Sequence, residues 1–95
     1  MEFDWNNLPF ELDGSISTSG IEESFEDPFA IRLLPDSTRF GVQARFFNLG
    51  KSAAGQGVFS VYRTNGKVIR VILSRPFSES EACFYQRRLA QALST

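Results

Sequence analysis

GVFSVYRTNGKVIRVILSR, residues 57–75, decides the fold. Two runs rich in β-branched and aromatic residues flank Asn65-Gly66, and both of those residues tolerate positive φ. The pair predicts a hairpin closed by a two-residue turn. Such a turn sets Thr64 opposite Lys67, Tyr62 opposite Ile69 and Val61 opposite Arg70. One face then carries Val58, Ser60, Tyr62, Ile69, Val71 and Leu73, and the other Phe59, Val61, Arg63, Val68, Arg70 and Ile72. Both faces are largely apolar, which predicts central strands covered on both sides. Arg70 stands out, because a charge in a buried strand is costly unless it is paired.

Toward the C-terminus, Pro76 ends the sheet and Ser78-x-x-Glu81 forms a capping-box pattern, predicting a helix over 79–93. Ala82, Tyr85, Leu89 and Leu93 make its apolar stripe, and Arg87 and Arg88 fall late enough to favour the helix dipole. Toward the N-terminus, KSAAGQG (51–57) is a loop of small residues and VQARFFNLG (42–50) a strand. PDSTRFG (35–41) is a turn region and PFAIRLL (28–34) a further strand. STSGIEESFEDP (17–28) predicts a short helix capped by Ser19, with Glu22 as its capping-box partner and Glu22 and Glu23 in the first turn. It ends at Asp27, before Pro28. NNLPFELDGSISTSG (6–20) is mainly loop, and MEFDW (1–5) alternates as a short edge strand. The expected fold is one α+β domain over 1–95, with a mainly antiparallel sheet, a short N-terminal helix and a C-terminal helix.

Length and composition bound the function. Ninety-five residues with 42% hydrophobic content and ten Phe suffice for one small core. A single cysteine, Cys83, and no His exclude a disulfide framework, the usual zinc sites and His-activated nucleophiles. Gly50-Lys51-Ser52 is no phosphate loop, because Arg45 stands where its first glycine belongs. The acidic pairs Glu22/Glu23 and Glu26/Asp27 read as solvated helix charges and Cys83 as an inert thiol. No metal or cofactor is expected. The N-terminus lacks a signal-peptide pattern, and no apolar run reaches the roughly 20 residues that span a bilayer, so a soluble cytoplasmic protein without a membrane partner is expected.

The formal net charge of −1 conceals a division. Residues 1–36 hold nine acids and one base, whereas residues 37–95 hold nine bases and two acids. Seven of those nine bases are Arg, the side chain suited to forked phosphate contacts. Arginines interleaved with aromatics on a sheet suit RNA, where phosphates supply affinity and bases stack. The other reading is an ordinary surface whose arginines pair with the acidic half.

Several segments, in order, resemble the BrnT-type toxins, ribonuclease members of bacterial toxin–antitoxin pairs. These are MEFDWNN (1–7), GIEESFEDP (20–28), ARFFNLGKSAAGQGVFSVYRT (44–64) and VIRVILSRPFSESEACFY (68–85). The resemblance spans nearly the whole chain and implies a RelE-like α+β fold, metal-independent RNA cleavage and a neutralising antitoxin protein, through which the chain would also oligomerise. It places Arg45, Arg70, Arg75, Glu81 and Tyr85 at the family's recurrent polar positions. The chain departs from the family at LPFELDGSISTSG (8–20), where family members have a longer helix leading into Lys-His-Gly. The expected function is therefore a toxin-like ribonuclease of weakened activity or, alternatively, a protein-binding module that has lost cleavage.

In metal-free cleavage the 2′-hydroxyl attacks its own phosphate. Arg70 and Arg75 are the candidates to stabilise the developing charge, and Arg45, Lys51 and Arg63 to hold RNA phosphates. Without His, proton transfer falls to Tyr85, Glu81 or a lysine. Glu81 also reads simply as a helix cap, and Tyr85 as a core side chain with a polar tip.

Overall fold

The hairpin forms where Asn65-Gly66 places it, but side-chain hydrogen bonds widen its turn. In the computed structural model, which describes residues 2–6, 16–33 and 45–94, β4 (Gly57–Thr64) runs antiparallel to β5 (Val68–Pro76). The Asn65 side-chain oxygen accepts from the backbone N–H groups of Lys67 and Val68 at 2.9 and 3.0 Å. Thr64 Oγ1 accepts from Gly66 N–H and donates to the Val68 carbonyl. Gly66 supplies the positive φ, at 93°. These local bonds compete with a tight two-residue turn. Thr64 therefore pairs with Ile69, Arg63 with Arg70 and Tyr62 with Val71, which corrects the expected register.

A second irregularity lies between Val61 and Tyr62, where Val61 pairs with Leu73 and Ile72 is left over. This bulge moves Leu73 from the expected face to the one shared by Val61 and Phe59, and turns Ser74 inward. Arg70, expected to be a buried charge, is exposed. Its exposure removes the desolvation cost that made it an anomaly.

The sheet order is β1-β5-β4-β3-β2, with β1 at Glu2–Phe3, β2 at Ile31–Leu33 and β3 at Phe46–Lys51. Among the described strands, only the β1–β5 pair is parallel. The α+β class and mainly antiparallel sheet agree with expectation, and β1 lies at an edge. The expected turn over 35–41 and most of the loop over 6–20 fall outside the described residues.

Helix α1 (Thr18–Glu26) covers one sheet face. Its cap is Ser17, whose Oγ accepts from Gly20 N–H at 3.0 Å, so the expected Ser19–Glu22 capping box does not form. Starting two residues earlier puts Ile16 just before the cap and Ile21 at the fourth helical position, both buried in one cluster. This apolar staple outweighs the alternative cap, and it leaves no acid in the first turn. Phe25, Val58, Tyr62, Ile69 and Val71 complete the cluster, with Phe3, Trp5 and Phe46 packed against it.

Helix α1 approaches β3 closely because the row beneath it is small and polar. Asn48, Ser60 and Ser74 pair across three strands and are buried. Asn48 Nδ2 donates to the Ser24 carbonyl at 3.3 Å, and the two serine hydroxyls lie 2.8 Å apart. A Cβ on Gly50 would stand 1.9 Å from the Ser24 carbonyl oxygen.

Helix α2 (Glu79–Leu93) covers part of the opposite face, with the expected Ser78–Glu81 capping box intact. Tyr85 is buried with Ile31 and Leu49, and Leu89 packs against them. Ala82 and Leu93, expected in the stripe, are exposed, so the helix is held by fewer side chains than its pattern suggests. Arg87 and Arg88 lie before the last turn, which contains no base.

Gly50→Ala forces α1 away from β3. A loss of about 3 kcal/mol, or a Tm fall of roughly 10–20 °C, is expected in thermal denaturation; an unchanged Tm would refute the close-approach argument.

Candidate functional site

Two groups of polar residues occupy the α2 side of the sheet, set apart along the strands. The first is a paired junction. Asp27, the C-cap of α1, accepts from Phe29 N–H at 2.9 Å through Oδ1. Its Oδ2 accepts from Lys51 N–H at 2.9 Å and from the Tyr85 hydroxyl at 2.5 Å. Lys51 Nζ lies 5.3 Å from the Tyr85 ring centroid. Beside this junction, Arg75 grips Glu81 through two parallel bonds of 2.7 and 2.8 Å and stacks over Phe59 at 4.4 Å. Glu81 Oε1 also accepts from Ser78 N–H at 2.7 Å.

These contacts set the protonation states. Burial pushes Asp27 upward, but the Tyr85 hydroxyl, the Phe29 and Lys51 N–H groups and the Lys51 charge outweigh it, leaving the carboxyl below its ordinary value. Burial likewise opposes ionisation of Glu81, and the bonds from Arg75 and Ser78 overcome it. Tyr85 moves the other way: burial, then the bond to Asp27 and its negative charge, hold the phenol well above its ordinary value. A phenol that donates to a carboxylate and resists ionisation is a poor base near neutrality.

The second group is a row of guanidinium side chains. Arg63 and Arg70 are direct partners across β4 and β5. Arg45 immediately precedes Phe46, which pairs with Tyr62, so Arg45 stands at the mouth of β3 in line with Arg63. All three are exposed, and none forms an ion pair among the described residues. Like charges placed opposite each other on a sheet are unfavourable, so fold stability does not account for the row. Arg63 and Arg70 line an open hollow of about 290 Å³ with Asp4, Thr64, Asn65 and Val68.

One row further along the same face, Leu33, Phe47, Val61 and Leu73 follow in register across four strands. Beyond them, Leu49, Phe59 and Arg75 form the row that α2 begins to cover. Phe47 and Phe59 stack at 5.9 Å.

The sequence-predicted site residues therefore separate. Arg45, Arg63 and Arg70 come together, whereas Arg75, Tyr85 and Lys51 belong to the junction. Arg70 and Arg75 are five residues apart on β5, roughly 16 Å at strand rise, so Arg70, Arg75 and Tyr85 do not converge on one phosphate. The structural readings of Glu81 as a cap and Tyr85 as a core residue describe what is observed. Sequence reasoning missed Asp27, read as a helix stop and a solvated helix charge, whereas its carboxylate accepts three hydrogen bonds; its place in an Asp-Pro step after a helix was the available signal. Among the described residues, no three Cys, Asp or Glu side chains converge as a metal-binding group, and no helix is long and apolar enough to cross a membrane. Comparison with protein-family models and with curated proteins finds no match.

The two arginine groups should respond differently to truncation. Arg70→Ala relieves a like-charge pair and should leave stability within about 0.5 kcal/mol. Arg75→Ala should cost about 1 kcal/mol, the modest value reflecting a partly solvated pair. Chemical denaturation of both variants checks this, and equal losses would contradict it.

Acid should weaken the junction with a definite sign. Both carboxyls have folded pKa values below their unfolded values of about 3.9 and 4.3, so their stabilisation is complete above those values. It is lost as pH falls through the lower folded values. Tm should therefore drop in acid, and the drop should be smaller in Asp27→Asn; identical acid limbs would remove Asp27 from the account.

Proposed function

We propose that this protein is a BrnT-like, toxin-type RNA-binding protein that grips the phosphates of RNA on Arg45, Arg63 and Arg70. The observation carrying the reading is the alignment across neighbouring strands of three arginines with no ion pair among the described residues, where like-charge repulsion has no benefit for the fold. Phosphates bound there would offset the repulsion and release counterions. Arg offers each phosphate a planar fork of donors, and the adjacent apolar row gives unstacked bases a surface. The order of family-like segments along nearly the whole chain supports the same reading, with RNA and an antitoxin protein as cytoplasmic partners and without a metal or cofactor.

Binding is the better supported part of this function. Cleavage requires an acid and a base beside the phosphate. Here His is absent, Tyr85 donates to Asp27, and Arg75 is committed to Glu81. These contacts favour the second reading, a toxin-like protein that retains its partner surface and lacks stand-alone cleavage.

The test is titration of a fluorescent single-stranded RNA over a salt series, beside a parallel incubation in EDTA analysed for fragments. The native protein should bind with an affinity that falls steeply with salt. Arg63→Ala/Arg70→Ala should reduce the slope of log K against log salt by roughly 1.4, two contacts' worth for single strands. Absence of salt-dependent binding, or an unchanged slope in the folded double variant, would sink the reading. Fragments formed in EDTA and lost in Arg70→Ala would restore a catalytic role to that strand.

A further inference from the structure

Between α2 and the open half of the sheet runs a cleft of about 380 Å³, lined by Leu33, Leu49, Phe59, Ser80, Glu81 and Phe84. Its walls are almost wholly apolar. Phe84 keeps 36% of its surface exposed and Leu33 keeps 40%, high values for large apolar side chains on a small domain. The one charge among the described lining residues, Glu81, is matched by the forked bond from Arg75. The cleft thus offers aromatic and aliphatic surface with no net charge, and suits a flat neutral group better than a phosphate.

The same sheet face fixes what lies beside it. Along β4, Phe59 borders the cleft, Val61 follows on the same face, and Arg63 stands in the cationic row. Phe59 and Arg63 are four residues apart, roughly 13 Å at strand rise. The floor between them is the apolar row of Phe47, Val61 and Leu73, in which Val61 is buried, Phe47 half-buried and Leu73 40% exposed. Among the described residues, an anionic ligand held by the arginines therefore meets apolar surface toward the cleft.

We propose that this cleft is a nucleobase subsite: it receives an unstacked base of a single-stranded RNA whose neighbouring phosphates lie on Arg45, Arg63 and Arg70. The inference rests on the RNA-binding reading and narrows it. A duplex offers phosphates at its surface but hides base faces within its stack, so it satisfies the arginines and leaves the cleft empty. A single strand satisfies both, with charge complementarity at one end and aromatic contact at the other. Phe84 is the side chain best placed to contact the base, since α2 presents it at the cleft and the core does not depend on it.

The experiment uses the full chain and three probes: an oligoribonucleotide about 8 nucleotides long, the same backbone with abasic positions, and a duplex of equal length. Phe84→Ala should weaken binding of the ordinary single strand about ten-fold, the loss expected for one stacked base. It should leave the salt slope unchanged, because no phosphate contact is removed, and should have no effect on the abasic strand. With native protein, a single strand carrying 2-aminopurine should lose fluorescence on binding, which tests stacking without any variant. The subsite is overturned if Phe84→Ala binds like the native chain, if abasic and ordinary strands bind equally, or if 2-aminopurine emission does not change on binding. Each of those outcomes leaves the arginine grip standing. Failure of the native chain to bind any of the probes overturns both readings, as does Phe84-dependent capture of an acidic amphipathic peptide without RNA affinity.

Discussion

The carboxylate of Asp27 joins three segments that lie far apart along the chain. It ends α1, orders the following turn through Phe29 N–H, holds the end of β3 through Lys51 N–H and receives the hydroxyl of Tyr85 from α2. Helices α1 and α2 lie on opposite sheet faces, so one side chain couples both layers. The coupling matters because α2 buries little: Tyr85 is its one fully buried residue. With so small an apolar contact, a hydrogen bond to a charged acceptor is a large share of what docks the helix. Arg75 and Glu81 reinforce the same end of α2, where the cap already orders the first turn.

Light docking of α2 has a consequence for the face it covers. The helix packs on the row of Leu49 and Phe59, while Leu33 and Leu73 at the ends of the Phe47 row and the arginines beyond it are exposed. A helix with a wider apolar stripe would spread over this surface and bury the guanidinium row at a prohibitive desolvation cost. The weak stripe of α2 and the exposed arginines are thus two aspects of one arrangement, a sheet face that α2 covers only in part.

How much was legible in the sequence follows from the range of each interaction. Ser78 and Glu81 find their partners within one helical turn, and their box forms as the spacing indicates. Asn65-Gly66 marks the turn for the same reason. The register does not follow, because Asn65 and Thr64 spend their side-chain oxygens on backbone donors and lengthen the loop. The bulge at Ile72 then reverses the face of Leu73, and nothing near Leu73 in the sequence announces it. Ser17 displaces Ser19 as a cap because burial of Ile16 against Ile21 favours the earlier start, a packing preference that capping patterns do not contain. The candidate site was legible as a set of arginines and illegible as a geometry. Arg63 and Arg70 face each other only in the shifted register, and Arg75 is withdrawn from the set by Glu81.

The sequence by itself determined the α+β class, the order of elements, the hairpin, the α2 cap, the concentration of arginine in the second half and the absence of His. These depend on residue type and short spacing, and no distant contact can alter them. Only the tertiary structure decided which arginines stand together, that Arg70 is solvated, that Asp27 and Tyr85 meet across 58 residues, and that a cleft opens beside α2. Those outcomes depend on strand register and on how far a helix covers a sheet. Both are set by the balance of many weak contacts across the fold, and a shift of one or two residues in register moves every side chain beyond it.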